Sequence, residues 1–364
     1  MSQGSLLLRA GLASLCYIFA APAFAQDAVS APSILTYRGP DREQRLLEGA
    51  KKEGEVVFYS AMITNQALRP ITAAFQKKYP DLKLTYWRGD SEDIALKLSA
   101  EIRANSLKVD IVEGTGIGEM AVKAGFALPA WSPQLASIPE NIRDQRQLWM
   151  PTRMSYFSAA YNTRLVPSSE MPTTFEGLLD PKWKGKIAWP LTASSAAPLF
   201  VTNLRIAWGE EKARDYLEKL SKQDVINFGS GNARTLVDRV IAGEYAIALA
   251  IFAHHPFISA AKGAPVASML MPPVASAAGT MVVPKGVRHP HAALLLIDFL
   301  LSREGQEILA SAEYLPVRPD VEAIKAIAPV IPSKSGIQEN FISPEKLNAY
   351  TDDSYKLLQE LFRK

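Results

Sequence analysis

From Val56 onward, short apolar runs alternate with stretches whose apolar residues recur at helical spacing. The segment before them, 41–52, is charged on one side and has Leu46, Leu47 and Ala50 on the other, which predicts a helix ending near Gly54. Val56-Val57-Phe58-Tyr59 then reads as a buried strand. Over 65–79, Leu68, Ile71, Ala74, Phe75 and Tyr79 fall on one helical face, and 82–87 reads as a second strand. Asp90 or Ser91 caps a helix striped by Ile94, Leu98 and Ile102, with Glu92 and Asp93 in its first turn. A third strand at 109–112 and a helix at 119–124 complete a β-α-β-α-β-α block, the sign of a parallel sheet covered by helices.

Pro129, Pro133, Pro139 and Pro151 interrupt this rhythm. The run 153–161 (RMSYFSAAY) has no helical stripe and predicts an extended crossing segment. A second alternating block follows, with strands at 186–189, 225–228 and 245–252 and helices at 194–208, 210–220 and 231–242. Past Pro256, short strands are expected at 268–271 and 279–283, and helices at 291–301, 302–312 and 344–362. Ser302 suits the N-cap of the second of these.

The N-terminus changes the picture. Arg9 precedes an apolar run over 12–21, and Ala23-Phe24-Ala25 supplies a small-x-small cleavage pattern before Gln26-Asp27. This predicts a signal peptide over 1–25 and a linker over 26–40. The apolar run is short of a bilayer span and Pro22 breaks it, so no stable membrane insertion is expected. Cleavage would remove Cys16, the only cysteine, which suits an oxidising periplasm. With 40 Lys plus Arg against 37 Asp plus Glu, the charge is nearly balanced, which argues against a nucleic-acid partner.

In open parallel sheets ligands bind beyond the carboxyl ends of the strands, where helix starts offer unpaired N–H groups. Small, polar or basic residues occupy these junctions. Ser60 and Thr64 follow the first strand, Arg88 the second, and Glu113 and Thr115 the third. Thr192, Ser194 and Ser195 precede one helix of the second block, and Ser230 and Asn232 another. The same residue types also serve as ordinary helix caps. His254-His255 could donate hydrogen bonds, ligate a metal or cap the strand end, and neighbours on a strand point to opposite faces. Arg153 could clasp an anion bidentately or sit in a salt bridge.

Catalytic patterns are missing. Gly114-x-Gly116-x-Gly118 follows a strand, but Glu119 stands where a dinucleotide fingerprint needs Gly or Ala. No P-loop, G-x-S-x-G elbow or H-E-x-x-H pair occurs.

Four stretches together resemble a known family: KKEGEVVFYSA; YNTRLVPSSEMPTTFEGLLDPKWKGKIAW; the pair GEEKARDYLEKL and GSGNARTLVDRVIAGEYAIALA; and LIDFLLSREGQEIL followed by YLPVRPD. The chain is similar to the solute-binding proteins of bacterial ABC importers, in the iron(III)-type, or family 1, branch. The resemblance implies an α/β, two-lobed periplasmic binding protein fold (type II), each lobe a mainly parallel sheet flanked by helices. It places lobe 1 at 35–150 plus 272–335, lobe 2 at 151–271, and a C-terminal helical segment at 336–364. The solute would sit between the lobes, and the closed protein, expected as a monomer, would dock on an inner-membrane permease. Ferric members carry an adjacent tyrosine pair after the strand that follows Gly-Glu; here Ala253 and His254 stand about where it would be. Neutral imidazole serves ferric iron less well than phenolate.

The reading that results is a non-catalytic periplasmic receptor for a small organic anion, phosphorylated, phosphonate or carboxylate, with no cofactor. Ser60, Thr64, Thr115, Thr192, Ser194, Ser195, Ser230 and Asn232 would donate, Arg88 or Arg153 would neutralise charge, and His254 would hydrogen-bond the solute. Its rivals are a ferric site built from Tyr59, Glu113 and His254 with Fe3+ as cargo, and an exported hydrolase.

Overall fold

Two sets of strands share two long members, and those members place the cleft. The computed structural model describes residues 1, 31–191, 196–229 and 233–362. Apart from Met1, the expected signal peptide lies outside them.

In chain order the first block is α1 (Ala31–Leu35), α2 (Arg42–Glu53), β1 (Glu55–Ser60), α3 (Arg69–Lys78), β2 (Lys83–Arg88), α4 (Ser91–Arg103), β3 (Ile111–Thr115), α5 (Ile117–Ala124), β4 (Ala127–Leu128) and β5 (Met150–Asn162). The second is β6 (Ile187–Trp189), α6 (Ala196–Trp208), α7 (Glu210–Ser221), β7 (Ile226–Asn227), α8 (Ala233–Ala242), β8 (Ile247–Phe252), α9 (His254–Ala261) and β9 (Val266–Met269). The chain returns through β10 (Val274–Pro284), α10 (Pro290–Leu301), α11 (Arg303–Ser311), α12 (Pro332–Ser335), β11 (Glu339–Phe341) and α13 (Pro344–Phe362).

The strand order is β2-β1-β3-β10-β5-β8-β6-β7. β1 pairs in parallel with β2 and β3, and β6 in parallel with β7 and β8. β5 and β10 run antiparallel through the middle and belong to both halves. One core gathers Phe58, Phe75, Leu294 and Phe299 with Met150 and Tyr156 of β5. Another gathers Trp189, Phe200, Tyr216 and Leu249 with Ala159 and Tyr161 of β5. The changeover between lobes thus lies inside β5, between Tyr156 and Ala159, beyond the division expected at 150/151. A 13-residue strand reaches about 43 Å, enough to cross from one core to the other.

Several expectations need correction. The segment 26–40 is not wholly a linker, because Ile34 and Leu35 of α1 are buried in the first core. The strand expected at 279–283 is the end of the much longer β10, and β11 pairs beside it. The C-terminal segment, expected as a helical piece of its own, packs on elements of both blocks. On α13, Thr351 donates to Glu119 of α5 at 2.8 Å, while Ser354 meets Thr202 and Arg205 of α6 at 3.2 and 3.0 Å. It therefore touches both lobes.

Candidate functional site

The carboxyl ends of the strands open on a cleft that encloses about 940 Å3, part of it open to solvent. Its walls come from both halves of the chain: Arg88, Ser91, Thr115 and Tyr314 on one side, Ala196, Arg234, Phe252, His254 and His255 on the other, with Arg153 of β5 between them.

Three guanidinium groups meet here, each held by a carboxylate. Arg153 Nη2 lies 3.2 Å from Glu113 Oε1, Arg88 Nη2 2.6 Å from Asp90, and Arg234 Nη2 2.8 Å from Asp238. The Arg153 pair is the buried one, and its guanidinium also stacks over the Tyr314 ring at 5.0 Å. Gly279 of β10 makes room for it: a Cβ there would stand 3.1 Å from Arg153 Cγ and 3.2 Å from Glu113 Oε1.

The starts of α6, α8 and α9 all reach this cleft, through Ala196, Ala233 and His254. Helix starts carry unpaired N–H groups and the positive end of the helix dipole, so they favour an anion. The α4 start also lines the cleft, but there Asp93 accepts the Asp90 backbone N–H in a capping box and puts carboxylates at the rim. No side chain caps α9.

His254 and His255 were expected on opposite faces of a strand. They instead open α9, where successive residues turn by about 100°, and both rings line the cleft with centroids 4.4 Å apart. Burial, with Arg153 and Arg234 nearby, pushes His254 down to about 3. Burial, His254 and the same arginines push His255 well below the usual imidazole range. Both rings are therefore neutral at physiological pH. The Nδ1 atoms of both, and Thr115 Oγ1, are buried without a hydrogen-bond partner among the described residues. Tyr314 Oη accepts the Ile63 N–H at 3.0 Å and keeps its own proton to donate.

Of the residues singled out in the sequence, Arg88, Thr115, Arg153 and His254 line the cleft. Thr192, Ser194, Ser195, Ser230 and Asn232 lie outside the described residues, though Pro190, Ala196, Ala233 and Arg234 beside them are cleft residues. Ser60 does not face it: its hydroxyl donates to Glu113 Oε2 at 2.7 Å and is fully buried. Thr64 is not a wall residue, and Ile63 takes that place. The ferric set does not assemble. Tyr59 donates to Glu101 at 2.8 Å and packs on Trp87, and Glu113 is fully buried under Arg153, Ser60 and Thr152. Only His254 of that set reaches the cleft, and among the described residues no three His, Cys, Asp or Glu side chains cluster as metal ligands would. Sequence reasoning missed Arg234, Phe252 and Tyr314, and weighed His255 beside His254 without placing it in the site.

Comparison with known proteins accords with this geometry. Iron uptake protein A2 of Synechocystis sp. is 30% identical over 267 residues, covering 66% of this chain and 72% of its own. The periplasmic binding protein AfuA of Actinobacillus pleuropneumoniae, solved with exogenous fructose-6-phosphate bound, superposes with a TM-score of 0.70 at 23% identity, covering 85% of this chain and 97% of its own. Iron-bound HitA of Pseudomonas aeruginosa gives 0.71 at 20% identity, over 84% and 99%. The fold is that of the periplasmic binding proteins. The family pattern of the bacterial extracellular solute-binding proteins matches residues 107–338, and the chain belongs to that family.

Proposed function

We propose that this protein is the periplasmic receptor of an ABC importer, that it closes on a small organic anion, and that it delivers this anion to an inner-membrane permease. The reading rests on one observation: three guanidinium groups and three helix starts from two separate cores converge on one cleft. A phosphate, phosphonate or carboxylate head suits them, because each N–H pointed at an anion makes a charge-assisted hydrogen bond. Tight closure around such a head needs no chemistry, only donors already in place. No described helix is long and apolar enough to cross a membrane, so delivery would rest on docking.

Titration calorimetry with fructose 6-phosphate, other sugar phosphates, alkyl phosphonates and dicarboxylates tests the reading. Saturable binding by one of these classes is expected. Binding of ferric citrate with none of them would sink it.

Ferric iron as cargo is the second reading, favoured by the similarity to Iron uptake protein A2 and iron-bound HitA. Against it, the oxygen ligands expected for a hard cation, Tyr59 and Glu113, are engaged elsewhere, which leaves the Tyr314 phenol and the rim carboxylates Asp90 and Glu92 as the candidate oxygen donors among the described residues. Iron loading followed by elemental analysis decides: stoichiometric iron retained through gel filtration would establish this second reading.

A further inference from the structure

The cleft has a second chamber. Behind His254, His255 and Tyr314 lies a space of about 630 Å3, open in part to solvent. It shares those three residues, with Ile63 and Arg234, as a common wall with the arginine-lined chamber. Its other walls are Ile258, Ser259 and Lys262 of and just after α9, facing Gln66 and Glu313 from the opposite lobe. The two chambers differ in chemistry. Arg88, Arg153 and the start of α6 serve only the first, while Arg234 of α8 stands in the wall between the two. In the second, Lys262 and Glu313 approach within 3.9 Å across the rim and offset each other.

Beyond the shared Arg234, which is paired with Asp238, what remains inside the second chamber is neutral and polar. Ser259 Oγ is buried with no hydrogen-bond partner among the described residues, as are the Nδ1 atoms of both histidines. A serine hydroxyl donates and accepts, and a neutral imidazole offers one donor and one acceptor. That mixed set matches hydroxyl groups, which also do both. An anionic oxygen only accepts and gains nothing from the acceptor half. Ile63 and Ile258 add apolar surface for the carbon skeleton between hydroxyls.

We propose that the solute is elongated, with its anionic head in the arginine chamber and an uncharged, hydroxyl-bearing tail in the chamber lined by Ser259, His254 and His255. This rests on the anion-receptor reading and narrows it to polyol or sugar derivatives. Calorimetry on the mature chain with matched probes tests it: inorganic phosphate, hexyl phosphate and fructose 6-phosphate, and the carboxylate pair hexanoate and gluconate. The hydroxylated probe should bind about tenfold more tightly than its alkyl partner in at least one pair, the size of one or two net hydrogen bonds. Ser259→Val should shrink that preference to within about twofold; Ser259→Ala, smaller than the native side chain, covers a failure of valine to fit. Equal affinity within both pairs, or parallel loss for every probe in the variants, would overturn the tail assignment while leaving the anion receptor standing. Binding by none of the five probes would overturn the tail assignment, and the wider screen of anions then judges the receptor.

Discussion

Replacing Arg153 with methionine should expose how the site is held together. Glu113 is fully buried on β3, and its carboxylate receives Ser60 Oγ at 2.7 Å, Thr152 Oγ1 at 3.1 Å and Arg153 Nη2 at 3.2 Å. Methionine keeps the bulk of the stem but removes the one cation paired with that carboxylate among the described residues. Two neutral hydrogen bonds then remain to hold a buried negative charge. Breaking one side of a buried ion pair costs about 3–5 kcal/mol, a large share of a typical stability of about 5–15 kcal/mol. Removing both charges, Glu113→Gln with Arg153→Met, leaves no orphan charge and should recover at least half of that loss. Urea unfolding of wild type, both single variants and the double variant gives the full cycle. A loss under about 1 kcal/mol for Arg153→Met, or a double variant as unstable as the sum of the singles, would refute the idea that Glu113 and Arg153 stabilise each other.

Arg234→Ala should weaken anion binding by about 10–100-fold, the value of a charge-assisted contact, and barely move the melting temperature, because its partner Asp238 is a solvent-exposed i,i+4 neighbour; calorimetry and a thermal melt read the two. Since both cleft histidines are held neutral, with His254 near 3, affinity for a carboxylate solute should stay flat from pH 5.5 to 8, and a midpoint near 6.5 in the binding curve would contradict the burial argument. Burial pushes Glu119 of α5 up to about 7 against the pull of Thr351 and Lys123. Between the ordinary carboxylate range and pH 7 the folded state keeps a proton the unfolded chain has released, so stability should fall as pH rises by about 1.4 kcal/mol per unit, roughly 3 kcal/mol in all. Urea unfolding at pH 5, 6, 7 and 8 measures that slope, and Glu119→Gln should flatten it. Ala250 sits in β8 at φ 55, next to the register shift between β5 and β8. Ala250→Gly should therefore cost at least about 1 kcal/mol less than Ala248→Gly on the same strand, as judged by chemical denaturation, because glycine relieves the left-handed backbone only at the first position.

The elements that the sequence made legible are those with clean periodicity. β1, β2, α4 and α10 fall within a residue or two of the expected ranges, and the helix-free run 153–161 is indeed the crossing strand β5. Contacts made across the sheet were not legible. Ser60 looks like a free strand-end donor until the parallel register places it opposite Glu113. Arg234, four residues before Asp238, reads as a surface salt bridge; only the packing of α8 beside β8 aims it at the cleft. Tyr314 arrives from a segment far along the chain, which only the return through β10 brings back to the first lobe. α9 was hidden because Pro256 falls at its third position, where a missing N–H is tolerated in a first turn, so a helix start looked like a break.

Each cleft arginine has a carboxylate partner, and this shapes how an anion can be gripped. An isolated buried guanidinium would bind an anion strongly but would destabilise the empty receptor, because its charge would stand desolvated. Pairing Arg153 with Glu113, Arg88 with Asp90 and Arg234 with Asp238 removes that penalty and fixes the forks in place. The empty cleft is then close to electrically balanced, and an arriving anion shares donors that are already oriented. Affinity in such a site depends on how many fixed N–H and O–H groups the solute satisfies at once, more than on net charge. Helix starts suit this arrangement, since their N–H groups carry partial charge without a counter-ion to displace. A receptor built this way discriminates by shape and by hydrogen-bond pattern. The neutral imidazole pair and the Ser259 and Thr115 hydroxyls, which have no partner among the described residues, are therefore where selectivity among anions of equal charge would be decided.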